Sequence, residues 1–152
     1  MKAFLQSPVG TIEITENEGC ISSVRIIEDT TIKEDSSSNE VLNKAVSQLT
    51  EYFAGERKIF DLPLKQSGTP FQQKAWEYLS SIPYGETVSY KQEAIATSSE
   101  KACRAVGSAN GKNNIAIIVP CHRVINENGA LGGYAYGLPV KEYLLNLEKE
   151  NK

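Results

Sequence analysis

The spacing of apolar residues changes along the chain, and that change restricts the fold more than any single motif does. Between residues 2 and 27 three short segments, "KAFLQ", "TIEIT" and "CISSVRII", are separated by the turn-forming stretches "SPVG" and "ENEG". Ile12 and Ile14 alternate with polar neighbours, and strands of this length joined by two tight turns form an antiparallel meander. From Val41 the period becomes helical: Leu42, Ala45, Val46, Leu49 and Phe53 share one face, and Gly55 stands where a helix would end. The polar, serine-rich run "DTTIKEDSSSNE" between them reads as an exposed loop. "ERKIFDLPLKQSG" reads as a further short strand and a linker, which sets a lobe boundary near residues 62–69. The expectation is an α+β chain of two lobes, residues 1–66 and 67–152, the first a sheet with a helix and the second mostly helical.

The second lobe opens with three agreeing helix signals: Thr69 as N-cap, Pro70 in the first turn and Gln72 three residues after the cap. Phe71, Ala75, Leu79 and Ile82 make the buried face of that helix. "YKQEAIA", capped by Ser89 with Gln92, and "EKACRAVGSAN" flank the short turn "TSS", a helix-turn-helix pattern. "NIAIIV" is apolar without alternation, as in a strand buried on both faces and ended by Pro120. "NENGALGGYAYG" is a glycine-rich loop, and Pro139 opens a last helix with Val140, Tyr143, Leu144 and Leu147 as one apolar stripe.

No apolar run reaches the roughly 20 residues that span a bilayer, and "MKAFLQSPVG" lacks a signal-peptide core, so a cytoplasmic protein is expected, without membrane contact. Three cysteines without a C-x-x-C spacing argue against a disulfide framework and a zinc site; no metal or cofactor is expected. The net charge of −3 speaks against a general nucleic-acid coat, but it is unevenly spread. Residues 1–68 carry 7 Lys/Arg against 11 Asp/Glu, whereas residues 89–124 carry 5 basic groups against 2 acidic ones. A polyanion would bind there.

In the second helix of the pair, Lys101 and Arg104 accompany the small residues Ala102, Ala105, Gly107, Ser108 and Ala109. Small residues allow close backbone approach, either to the first helix or to a DNA groove with the charges near phosphates. The second constellation is Cys121-His122-Arg123, holding the only histidine in the chain, after Pro120 and before the glycine-rich loop. A free cysteine is commonly an inert small apolar residue. Cationic neighbours would lower the thiol pKa and favour the thiolate. Adjacent residues point apart in extended chain, so proton transfer to His122 needs a tight turn or a bridging water. A histidine base is usually oriented by a carboxylate. Glu127 and Glu148 are both candidates by spacing.

"VPCHRVI", "SYKQEAIA", "KACRAVGSANGKNN" and "LPVKEYLLNLE", colinear from Thr69 to Glu148, resemble the O6-alkylguanine-DNA alkyltransferases, the methylated-DNA–protein-cysteine methyltransferases. That resemblance implies a ribonuclease H-like first lobe and a winged-helix-like second one carrying the active cysteine. It implies DNA repair by a single irreversible transfer of the alkyl group from O6-alkylguanine, with O4-alkylthymine as a further candidate substrate. Cys121 would take the alkyl group, His122 would accept the thiol proton through a water, Glu148 would orient His122, and Tyr90 would donate to guanine N3. Arg104 would enter the duplex as the base flips into the protein, and the second helix, with Ala102 and Ser89 beside it, would lie in the minor groove. Asn113 would brace the turn at the cysteine, the Cys121 and Val124 backbones would read the exocyclic amine, and Tyr134 and Ala135 would line the pocket. Some members carry a serine in the glycine-rich loop where this chain has Ala135. The partner implied is double-stranded DNA, bound by a monomer. Two other readings are a non-catalytic binder of alkylated DNA and a cysteine hydrolase using Cys121 and His122.

Overall fold

The computed structural model describes residues 1–28 and 39–152, so most of the loop expected at "DTTIKEDSSSNE" lies outside the described residues. It resolves two compact units: residues 1–66 with 114–118, and residues 67–113 with 119–152. The architecture is α+β, with a three-stranded antiparallel sheet in the first unit and mainly helices in the second.

In the first unit β1 (Lys2–Ser7), β2 (Gly10–Asn17) and β3 (Cys20–Ile27) pair in chain order. Ala3 faces Ile14, Leu5 faces Ile12, and Ile14 faces Val24 in the register. All five are buried, which is the expected result of period-two alternation over one covered face. Asn17 pairs with Cys20, leaving the two-residue loop Glu18-Gly19 at φ 54° and 82°. Positive φ at both positions matches the right-handed twist of the flanking strands. Helix α1 (Glu40–Phe53) is capped by the Asn39 side chain, which accepts from Leu42 N at 3.0 Å. It covers the sheet with Leu42, Ala45, Leu49 and Tyr52.

Two expected strands take another form. "ERKIFDLPLKQSG" makes, among the described residues, a single parallel bridge, Leu64 to Ile21, flanked by Ile21 N donating to Pro63 O and Lys65 N to Ile21 O; Pro63 has no N–H with which to extend a ladder. "NIAIIV" is buried apart from Asn114, as expected, but pairs with β3 only through Ile115 and Val24. Ile117 sits at φ 70°, and Ile118 N donates to Ala116 O at 2.7 Å, a γ-turn that stops the pairing. Positive φ at a β-branched residue is strained, and no hydropathy pattern announces it.

In the second unit α2 (Pro70–Ser80) and α3 (Tyr90–Thr97) both begin with complete capping boxes, Thr69 with Gln72 and Ser89 with Gln92. α2 buries Ala75, Trp76 and Leu79, with Trp76 Nε1 donating to Ala109 O at 2.8 Å, while Phe71 stays half-buried. A 3₁₀ turn at Glu100–Ala102 leads into α4 (Cys103–Gly111), which completes the helix-turn-helix. Val106 and Ala109 of α4 are buried, so Ala109 leaves the expected exposed face, and Arg104, Ala105 and Ser108 remain on it. Short parallel strands β4 (Val88–Ser89) and β5 (Val124–Ile125) join the start of α3 to the segment after Cys121. Helix α5 (Leu138–Glu150) buries Leu144 of the expected stripe together with Lys141 and Glu148, whereas Tyr143 of that stripe is exposed. No helix among the described residues is long and apolar enough to cross a membrane.

Candidate active site

Cys121 does not end a strand. Pro120 adopts φ −84°, ψ 67°, with Cys121 N donating to Val119 O at 2.9 Å, an inverse γ-turn, and a 3₁₀ turn over Cys121–Arg123 follows directly. A tight turn here is one of the two routes, with a bridging water, by which proton transfer between Cys121 and His122 is expected. Asn113 spans it by donating from Nδ2 to Val119 O at 2.8 Å, and its side chain also hydrogen-bonds the thiol.

His122 is fully buried, and its Nε2 lies 2.6 Å from Glu148 Oε2. Glu148 is also gripped by Arg123, Nε to Oε1 at 2.8 Å and Nη2 to Oε2 at 3.1 Å, while Arg123 Nη1 donates to Ile82 O. Burial pushes the Glu148 carboxyl up, but the hydrogen bonds from His122 and Arg123 and the guanidinium charge outweigh it and bring the pKa to about 2. Glu148 is therefore a carboxylate at neutral pH and can only accept. Burial holds His122 below its ordinary value, so the ring is neutral. A neutral ring facing a carboxylate places its proton on Nε2, and Nδ1 is left as a buried acceptor without a partner among the described residues. The other carboxylate candidate, Glu127, is exposed and pairs with Lys91 at 3.9 Å.

Arg123 thus serves Glu148, and the thiol's electrostatics come from elsewhere. Burial pushes the Cys121 thiol up; the hydrogen bond from Asn113 and the charge of Lys141 pull it down. The expected lowering by His122 and Arg123 is absent, because one is neutral and the other is neutralised by its carboxylate. Lys141 was not singled out in the sequence, yet it is fully buried and donates to Val124 O at 2.6 Å, Leu131 O at 2.5 Å and Gly133 O at 3.0 Å. It pins the glycine-rich loop and lies 5.7 Å from the Tyr90 ring centre. Burial lowers its pKa to about 8, against the opposing pull of Cys121. The available signal was its spacing from Leu144 and Glu148 on one helical face.

A cavity of about 530 Å³ opens onto Cys121. Tyr90, Arg104, Tyr134 and Ala135, all expected at the site, line it, and so do Cys103, Asn110 and Asn126. Gly132, at φ 72°, passes so close that a Cβ would meet Asn126 Oδ1 and the Tyr90 ring at 3.0 Å. Tyr90 Oη is 3.5 Å from Gly133 O. Tyr134 stacks edge-on with Tyr136 at 5.6 Å and has a buried hydroxyl without a hydrogen-bond partner among the described residues. The Cys121 and Val124 carbonyls each accept one bond already, from Val124 N and Lys141 Nζ, and each retains a second lone pair. Ser89 and Ala102 sit outside the cavity lining, at the N-caps of α3 and α4.

Residues 70–150 match the family model described as the 6-O-methylguanine DNA methyltransferase DNA binding domain, and residues 1–66 match that of its ribonuclease-like domain. The chain belongs to the 6-O-methylguanine DNA methyltransferase family. Relatives in this family include the constitutive methylated-DNA–protein-cysteine methyltransferase of Bacillus subtilis, 48% identical over 95% of this chain and 92% of that protein. The Methanosarcina barkeri methylated-DNA–protein-cysteine methyltransferase is 44% identical, over 97% and 96%. Among solved structures of the family, a Mycobacterium tuberculosis O6-methylguanine methyltransferase aligns with a TM-score of 0.87 at 42% identity, covering 98% of this chain and 92% of that one. The crystal structure of M. tuberculosis OGT in complex with DNA aligns with a TM-score of 0.88 at 44% identity, covering 97% and 92%.

Proposed function

We propose that this chain repairs DNA by moving the alkyl group of an O6-alkylguanine onto Cys121, once per molecule. The observation that carries the reading is a buried thiol opening onto a cavity wide enough for a base, next to a neutral histidine whose free nitrogen can only accept a proton. The Cys121 proton passes to His122 Nδ1 through a bridging water. Sγ then attacks the alkyl carbon, the S–C bond forms as the C–O6 bond breaks, and the electron pair goes to guanine O6. The developing negative charge on the base is relieved by the Tyr90 hydroxyl at N3, and the proton held on His122 returns to neutralise the released guanine. Atoms and charge balance: thiol and alkylguanine become thioether and guanine. A thioether offers no leaving path at neutral pH, so the protein is spent.

Glu148, fixed by Arg123, stabilises the imidazolium that forms on His122 in this step. The burial that raises the resting thiol pKa is an argument for proton transfer timed to substrate docking rather than a standing thiolate. The duplex partner is read through α4: Arg104, Ala105 and Ser108 are exposed on a face of mostly small side chains, which suits a narrow minor groove. Arg104 lies between that face and the cavity, which fits a side chain occupying the space left by the flipped base. Asn113, Val124, Tyr134 and Ala135 hold or line the base site; the alanine leaves only backbone donors for O6 at that point of the loop.

The test is stoichiometry. A duplex with one O6-methylguanine, titrated with protein, regains guanine in proportion to protein added, one lesion per chain, and stops when substrate is in excess. Sustained turnover would favour the cysteine-hydrolase reading, and no restoration would reduce the protein to a binder.

A further inference from the structure

One buried ionisable group plays no part in the scheme above. Glu93 on α3 is fully buried, and its Oε1 accepts from Asn110 Nδ2 on α4 at 2.7 Å. The remaining oxygen of each side chain, Glu93 Oε2 and Asn110 Oδ1, is also buried and has no hydrogen-bond partner among the described residues. With an ionised Glu93, both orphans would be acceptors, and nothing in the pair could satisfy either. One proton on Oε2 resolves both at once. The acid would then donate to Oδ1 while Oε1 accepts from Nδ2, which would close a cyclic pair between the two helices of the helix-turn-helix. Asn110 is also part of the cavity wall that contains Cys121.

We propose that Glu93 is a positioning residue for the thiol: protonated, it locks Asn110 into the cavity wall and spares Cys121 a nearby negative charge. Burial pushes the Glu93 carboxyl up to about 7, against the opposing bond from Asn110. The groups that feel its charge lie on three elements, Tyr78 on α2, Tyr90 on α3 and Cys121 on the 3₁₀ turn, and each is pushed up by it. Neither Lys101 and Glu100 in the turn before α4 nor Arg104 and Cys103 on α4 contributes to its shift, and β4 and β5 carry no titratable side chain. Ionisation of Glu93 as the pH rises through neutrality therefore opposes the thiolate that alkyl transfer needs.

This role rests on Cys121 being the reactive thiol, so the test uses a probe that needs no DNA. Alkylation of Cys121 by iodoacetamide, followed by peptide mass, is measured from pH 6 to 9 in the wild type and in Glu93→Gln. Glutamine supplies the same cyclic pair permanently, Oε1 accepting from Asn110 and Nε2 donating to it. The expected result is that the variant's advantage opens above pH 7 and reaches severalfold by pH 8.5. Thermal melting gives a second readout. A raised folded pKa contributes stability fully present below the ordinary carboxylate value and lost as pH rises towards 7, so the variant's melting point relative to wild type rises between pH 5 and pH 8. Superimposable alkylation profiles, or a melting difference independent of pH, overturn the proposal. Loss of repair in the wild type would instead refute the alkyl-transfer reading and leave both readouts intact.

Discussion

Glu148→Ala lowers the stability of the second unit by about 3–5 kcal/mol and removes measurable alkyl transfer. The carboxylate is the common partner of two buried groups, Arg123 and His122. Removing it leaves a guanidinium buried with one remaining hydrogen bond, to Ile82 O, and an uncompensated buried charge is among the costliest local defects. Glu148→Gln separates structure from chemistry, because the amide keeps the shape without the charge. Its transfer rate falls by about 10²–10⁴-fold, the usual span for a lost general base, since a neutral amide neither fixes the Nε2–H tautomer nor stabilises an imidazolium.

Acidity gives an independent signature. The folded-state pKa of Glu148 lies below its unfolded value, so its contribution is fully present above about 4.5 and is lost as pH falls towards about 2. With about 1.4 kcal/mol per pKa unit, the wild type loses roughly 3 kcal/mol from this group over that range, and the glutamine variant does not. His122 acts in the same sense: its folded pKa is depressed, so its contribution is lost on acidification from its ordinary value of 6.5 downward. Urea denaturation of both proteins at pH 7 and pH 3 measures the difference. A gap between them that does not narrow on acidification would mean that Glu148 is not the carboxylate held by Arg123.

Cys121→Ala abolishes alkyl transfer completely while leaving affinity for duplex DNA within about twofold. No second thiol is expected to substitute: Cys20 belongs to the first unit, and Cys103, although it lines the cavity, donates to Glu100 O in the 3₁₀ turn before α4. The substitution removes a single sulfur from a cavity wall, so the fold cost stays near 1 kcal/mol, and the DNA-facing surface of α4 is untouched. A gel-shift or anisotropy titration beside the transfer assay reads both effects. Loss of binding together with transfer would make the thiol a structural element.

Those parts of the fold governed by local chemistry were legible in the sequence. The Thr69/Gln72 and Ser89/Gln92 boxes bond backbone groups within one turn, and Glu18-Gly19 meets a dihedral requirement within two residues, so each is written where it acts. The helix-turn-helix was legible for the same reason, whereas the roles expected around Cys121 came from the family resemblance of its motif. What escaped depends on partners far along the chain. "NIAIIV" has the hydropathy of a strand, but the sign of φ at Ile117 follows from its tertiary setting. Helix α5 reads as an inward stripe of Val140, Tyr143, Leu144 and Leu147; of these Leu144 is buried, and two charged residues, Lys141 and Glu148, are buried with it, each satisfied by groups 8–26 residues away. Hydropathy treats a buried lysine as exposed until its acceptor carbonyls are known. Glu93 and Asn110, on separate helices and 17 residues apart, escaped on the same ground.

The measurement that bears most directly on the mechanism is the mass of the cysteine peptides after incubation with a duplex containing O6-methylguanine. The account predicts one added methyl group on the peptide carrying Cys121, in an amount equal to the guanine restored, with the Cys20 and Cys103 peptides unchanged. A methyl group on either of those two peptides, or guanine restored with no mass gained at Cys121, would contradict it.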